Sequence, residues 1–140
     1  MLEKFNAEII SVRKICFIAE KKLKEWSLSD TECYDILLSI DEAITNIVQH
    51  GYEKIESVNN AIEFELKKEA GIIKIKLVDF GKSFNFNGIG RPNVAENMKQ
   101  GKYGGFGVYL MKSLMDSVKY TRENECNVTE MEKRLKVDNS

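Results

Sequence analysis

The chain has 140 residues, a length that fits one ordinary domain, spanning 1–140, with a core large enough to fold unaided. Its 21 lysines and arginines against 22 aspartates and glutamates leave a net charge of -1 with His50 neutral, so the positive excess of a nucleic-acid or anionic-membrane binder is missing. With 43% hydrophobic residues, 31% charged residues and one proline, the composition excludes a disordered or collagen-like chain.

Three cysteines, Cys16, Cys33 and Cys126, form an odd set without CxxC spacing and read as structural thiols. The first residues, MLEKFNAEIISVRKICFIAEKKL, interleave charges with every apolar stretch, so neither a secretory leader nor a membrane span is expected and the cytoplasm is the default compartment.

In chain order, Phe5 to Ile10 reads as an edge strand, and Val12 to Trp26 as an amphipathic helix whose apolar residues recur at spacings of three and four. Ser29, Asp30, Thr31 and Glu32 match a capping box that starts a second helix running to about Gln49. That helix carries Ile36, Leu37, Leu38, Ile40, Ile44, Ile47 and Val48, an apolar band wide enough for deep burial. From Asn59 to Lys67, Ile62, Phe64 and Leu66 alternate with Glu63, Glu65 and Lys67; Lys68 to Gly71 turn the chain, and Ile73, Ile75 and Leu77, extended to Phe80, return it as a hairpin. An irregular glycine-bearing stretch from Lys82 to Lys102 has the length of a functional lid. Phe106 to Met115 is helical, and Val118 to Thr121 and Val128 to Leu135 supply two further strands. The predicted fold is an α/β two-layer sandwich, with helices on one face of a mixed, mostly antiparallel sheet.

Three segments carry candidate chemistry. On the second helix Glu42, Asn46, Gln49 and His50 share one side, which means either a ligand pocket or a buried hydrogen-bond network. Oxygen donors of this kind suit magnesium at Asn46, and a carboxylate suits the orientation of a hydroxyl at Glu42. Asp79 and Gly81 in VDFGK place an acid at a strand end beside a glycine, which is either a ligand contact or a strand exit. Finally GKYGGFG, Gly101 to Gly107, runs straight into a helix, giving either a phosphate cradle or a flexible helix entry.

Taken together, these segments resemble the ATP-binding fold shared by gyrase, the Hsp90 chaperones, histidine kinases and MutL (the GHKL ATPases), and within it the anti-sigma regulatory serine/threonine kinases of bacteria. DEAITNIVQHGY, Asp41 to Tyr52, is similar to the N box, with Glu42 at the catalytic-base glutamate and Asn46 at the magnesium-binding asparagine. Asp79 falls on the adenine-recognising aspartate, Gly81 on the first glycine after it, and Gly104, Gly105, Phe106 and Gly107 on the second glycine-rich box. Thr129 lies near a threonine that supports the adenine pocket, and the resemblance leaves Lys102 or Arg91 either to add positive charge over the phosphates or to be simply solvated. Where the family often has a further glycine, this chain has Ser83.

The resemblance implies Mg2+ and ATP as ligands and transfer of phosphate to a serine of an anti-sigma-factor antagonist. It also implies sequestration of a sigma factor, and a homodimer. A nucleotide-binding partner-switching module with little catalysis is the alternative that Ser83 raises.

Overall fold

The computed structural model describes residues 2–5, 9–48, 62–81 and 106–136. In chain order these are β1 (Leu2–Phe5), α1 (Ile9–Glu25), α2 (Asp30–Asn46), β2 (Ile62–Glu69), β3 (Ile72–Asp79), α3 (Phe106–Leu114), β4 (Ser117–Glu123) and β5 (Cys126–Arg134). The strands form one sheet in the order β1-β2-β3-β5-β4, and every pairing among the described residues is antiparallel.

The period of two in the strands puts one face of the sheet in the core. Side chains align across it in rows: Leu66, Ile75, Met131 and Val118 in one, then Phe64, Leu77, Thr129 and Tyr120 in the next. Ile62, Phe64, Leu66, Ile73, Ile75, Leu77 and Met131 are buried there against Ile15, Ala19 and Leu23 of α1, Ile36, Ile40 and Ile44 of α2, and Val108 and Met111 of α3. The opposite face is charged. Glu65, Lys76, Glu130 and Lys119 alternate in sign across four strands, an arrangement that suits a solvated sheet surface and separates like charges between neighbouring strands.

Helix α2 lies between α1 and α3. Its start is fixed by the capping box expected from the sequence: the Glu32 backbone N–H donates to Ser29 Oγ at 3.2 Å, and the Ser29 N–H donates to Glu32 Oε1 at 3.2 Å. Two further ties set its direction. The Lys136 N–H donates to Glu32 Oε2 at 2.9 Å, and Lys133 Nζ donates to Asp35 Oδ2 at 3.3 Å. As α2 advances from residue 32 to 35, its partner on the closing segment retreats from 136 to 133, so α2 runs antiparallel to β5 and therefore along β3. Seventeen helical residues extend about 25 Å, nearly the length of an eight-residue strand. The last turn of α2 consequently reaches the end of the sheet where β3 finishes at Asp79.

The edge strand and first helix differ in extent from the sequence expectation. The strand is Leu2–Phe5, not Phe5 to Ile10, because Leu2 and Phe5 take register opposite Glu65 and Ile62. The helix begins at Ile9, and the buried Ser11 and Val12 make its first turn part of the packed face. Likewise β3 ends at Asp79, and Phe80 stands half exposed beyond it. Among the described residues, no helix is long and apolar enough to cross a membrane. All three cysteines are free thiols, as their count suggested, and burial together with Asp41 and Glu20 pushes Cys16 up to about 11.

Both hairpin turns place two consecutive residues at left-handed φ, Ala70 and Gly71 in one and Asn124 and Glu125 in the other, the geometry that matches strand twist in a two-residue hairpin. Glu125, at φ 65°, has a Cβ in a region that disfavours it. Glu125→Gly is expected to raise stability by about 0.5–1 kcal/mol, read as an increase of a few degrees in thermal unfolding.

Candidate functional site

The row of side chains at the end of the sheet breaks the apolar pattern. Ile62 on β2 is followed by Asp79 on β3, Asn127 on β5 and Arg122 on β4. Asp79 and Asn127 are 2% and 1% exposed, which puts a carboxylate on β3 where the preceding inner positions are Ile75 and Leu77, and an amide on β5 next to the buried Thr129 and Met131. Burial of this kind is tolerated only when the polar atoms are paired.

They are paired with each other. Asn127 Nδ2 donates to Asp79 Oδ1 at 2.9 Å and to the Gly81 carbonyl at 3.1 Å. The Gly81 N–H donates to the same Asp79 oxygen at 3.0 Å, folding the chain just past β3 back onto its last residue. Asn127 Oδ1 accepts from Tyr120 Oη at 2.7 Å and from an Arg122 guanidinium nitrogen at 2.9 Å, and that nitrogen also donates to the Gly81 carbonyl at 2.9 Å. With two donors on its oxygen, the Asn127 amide has one sensible orientation, which aims its NH2 group at Asp79. Asp79 Oδ1 thus accepts twice, while Oδ2 takes no hydrogen bond among the described residues.

Burial drives the Asp79 carboxyl above the ordinary aspartate range, and the Asn127 amide, the Gly81 N–H and Arg122 only partly oppose it. At 2% exposure the carboxylate has little hydration of its own.

The second group of residues meets on the helices. Glu42 and Asn46 stand one turn apart on the last part of α2, both half-buried. Gly107, the second residue of α3, lies directly against Glu42. A Cβ at that position would touch Glu42 Oε2 and come within 3.2 Å of Cδ and 3.3 Å of Cβ. The glycine therefore permits the close approach of the α3 entry to the carboxylate. Burial, with a smaller contribution from Asp41, raises the Glu42 carboxyl above its ordinary range.

Glu42 thus faces Gly107, and Asp79 faces Gly81. Thr129 does not pair with Asp79. It is buried one row further in, opposite Leu77 and Tyr120, and Asn127 holds the place beside the aspartate. Phe106 opens α3. Lys102, Gly104 and Gly105 lie outside the described residues, as do Arg91, Ser83, Gln49 and His50. The sequence reading started the last strand at Val128 and so passed over Asn127, although Asn127, Thr129 and Met131 share the period of two that marks the inner face.

A family model described as a histidine kinase-like ATPase domain matches residues 5–133. The chain belongs to that family. Within it the chain is RsbW-like: the serine-protein kinase RsbW of Staphylococcus epidermidis is 30% identical over 129 residues, covering 89% of this chain and 79% of that protein. The RsbW of Oceanobacillus iheyensis is 34% identical over 93 residues, or 64% of this chain and 58% of the relative. In three dimensions the chain is similar to the RsbU and RsbW domains of a Mycobacterium tuberculosis protein, with a TM-score of 0.72 at 17% identity over 96% of this chain and 32% of that one. It is also similar to a chain of the Pseudomonas aeruginosa SiaB–SiaC complex, with a TM-score of 0.61 at 10% identity over 95% of this chain and 88% of the other. These likenesses establish the fold, a sheet covered on one face by helices, as in the GHKL ATPases.

The raised carboxyl of Asp79 has a consequence for stability. The folded state binds this proton more tightly than the unfolded chain does, so the group's contribution favours folding below the raised folded value and is lost as pH rises through it. At neutral pH the ionised Asp79 is therefore a net cost to folding. Asp79→Asn is expected to unfold at no lower temperature than the parent at neutral pH, with any advantage shrinking as the pH is lowered into the carboxylate range. Thermal unfolding of both forms across pH checks this, and an advantage that grows on acidification would contradict it.

Proposed function

We propose that the chain is an ATP-dependent serine kinase of the anti-sigma type, acting on a serine of an antagonist protein in the cytoplasm and holding a sigma factor in the alternate state. The observation that supports this most is the juxtaposition of Glu42 with Gly107 at one end of α2, in a fold whose buried Asp79 is held ready as an acceptor at the same end of the sheet. The relatives named serine-protein kinase RsbW give the reaction class.

In this reading the adenine amine meets Asp79, with Gly81 leaving room for the base. The phosphates meet the segment that carries Lys102, Gly104, Gly105, Phe106 and Gly107, whose backbone amides and helix entry favour anions. Thr129 belongs to the wall of the base pocket.

The donor set also fits magnesium. No group of three His, Cys, Asp or Glu that could hold a metal occurs among the described residues, and the Asn46 side-chain oxygen is a neutral hard ligand of the sort magnesium accepts beside phosphate oxygens. When bound, the ion neutralises charge on the phosphates.

Glu42 takes the serine proton. Its carboxylate, desolvated and more basic than usual, accepts the proton from the serine hydroxyl as the oxygen bonds to the γ-phosphorus; the bond to the bridging oxygen of ADP breaks, leaving phosphoserine and ADP. Gly107 keeps Glu42 in place because no side chain competes for the space. Partner exchange between sigma factor and antagonist, and a homodimer, complete the proposal. A charge of -1 is compatible with control through protein partners.

The test is co-purification of the antagonist followed by intact-mass measurement after incubation with Mg-ATP. The parent is expected to add one phosphoryl group to the antagonist. Glu42→Gln should slow transfer by roughly 10²–10⁴-fold while leaving ATP binding in place. Gly107→Ala should also slow transfer strongly, because the Glu42 head must swing aside and leave its position, while the 3.3 Å approach to Glu42 Cβ calls for a small shift between α3 and α2 that thermal unfolding would read. ATP binding without transfer by the parent would leave a partner-switching module and remove the kinase.

A further inference from the structure

The hydrogen-bond row beyond Asp79 does more than keep a buried carboxylate company. A carboxylate oxygen has two lone pairs, and both on Asp79 Oδ1 are taken, by Asn127 Nδ2 and the Gly81 N–H. Only Oδ2 is left to a ligand among the described residues. That limits what kind of nucleotide base the site accepts.

Adenine presents one exocyclic amine at its six position, and a single oxygen satisfies it. Guanine in the same pose would set its O6, an acceptor, against the carboxylate. It escapes that repulsion only by shifting so that its N1–H and N2 amine, two adjacent donors, bridge both carboxylate oxygens. An occupied Oδ1 closes this second pose. The first pose leaves two acceptors facing each other without a proton, the kind of mismatch that polar sites reject strongly.

We infer that Asn127, oriented by Tyr120 and Arg122, is a specificity-determining positioning residue that makes the pocket select adenine over guanine. The inference rests on the nucleotide reading above and adds the origin of its base selectivity. The aim of the amide is set from behind. Tyr120 Oη and the Arg122 guanidinium occupy Asn127 Oδ1, so the amide cannot flip to present its oxygen to Asp79. Arg122 and Asn127 together also hold the Gly81 carbonyl, which keeps the Gly81 N–H directed at Oδ1. Asp79, Gly81, Asn127, Tyr120 and Arg122 therefore act as one clamp across the end of β3, β5 and β4.

The experiment titrates the full chain with ATP and with GTP, each with magnesium, by calorimetry. The parent is expected to prefer ATP. Asn127→Ala should reduce the ATP-to-GTP affinity ratio about tenfold, the scale of one hydrogen bond at a desolvated site. Tyr120→Phe retains the ring and removes only the hydroxyl, and should reduce the ratio in the same direction by less; it carries the test if the alanine variant does not fold. Equal weakening of both nucleotides, with the ratio unchanged, would show Asn127 to be merely structural and overturn the inference. A parent that binds ATP and GTP equally would overturn it while leaving nucleotide binding intact. A parent that binds neither would overturn both readings.

Discussion

Asp79 is a carboxylate in a row of the sheet where the neighbouring rows bury hydrocarbon, and the site end of the molecule is organised around making that position tolerable. The cost of desolvating it is met by hydrogen bonds from two strands and a turn: Asn127 from β5, the Gly81 N–H from the chain just past β3, and Arg122 from β4 through its hold on Asn127 and Gly81. Those bonds do not bring its carboxyl back to the ordinary range, since burial outweighs them. In the proposed function, this acid, kept dry at a sheet end where leucine would cost less, is the receptor for a donor that arrives with the nucleotide.

The opposite end of the sheet supplies the counterpart. There the capping Glu32 receives the Lys136 N–H, and the largely buried Lys133 donates to Asp35 and, at 2.6 Å, to the Leu114 carbonyl at the end of α3. These ties fasten both α2 and α3 to β5, which fixes where each helix points. Because α2 is fastened at its start, its last turn is delivered to the Asp79 end, and Glu42 and Asn46 come with it. The contact of Glu42 with Gly107 then depends on the two helices being held together from the far side. The proposed site at one end of the sandwich is thus positioned by packing and ion pairing at the other.

Much of this was legible in the sequence because it rests on local patterns. The Ser29 to Glu32 capping box and the alternation of Ile62, Phe64 and Leu66 arise from short-range physics and appear in the structure at the expected residues, and of the apolar band of α2 Ile36, Ile40, Ile44, Ile47 and Val48 are buried while Leu37 and Leu38 are half-buried. The close approach of Gly107 to Glu42 was less direct. Spacing alone left both segments open to ordinary structural readings, and only the combined motifs drew them together. Asn127, Tyr120 and Arg122 were not singled out, because their role comes from cross-strand register, and a shift of one residue in where β5 begins decides whether Asn127 lies in the strand at all. Thr129, one row away, was the polar residue within the recognised stretch. The edge strand was misplaced for a related reason: four residues pairing with β2 carry no periodicity strong enough to separate them from the following helix.

The account is tested most directly by a structure of the chain with magnesium and a non-hydrolysable ATP analogue. It predicts the adenine amine within hydrogen-bond distance of Asp79 Oδ2, Asn127 still donating to Oδ1, and the terminal phosphate beside Gly107 and Glu42. A nucleotide seated elsewhere, or a base that contacts neither Asp79 oxygen, would contradict it.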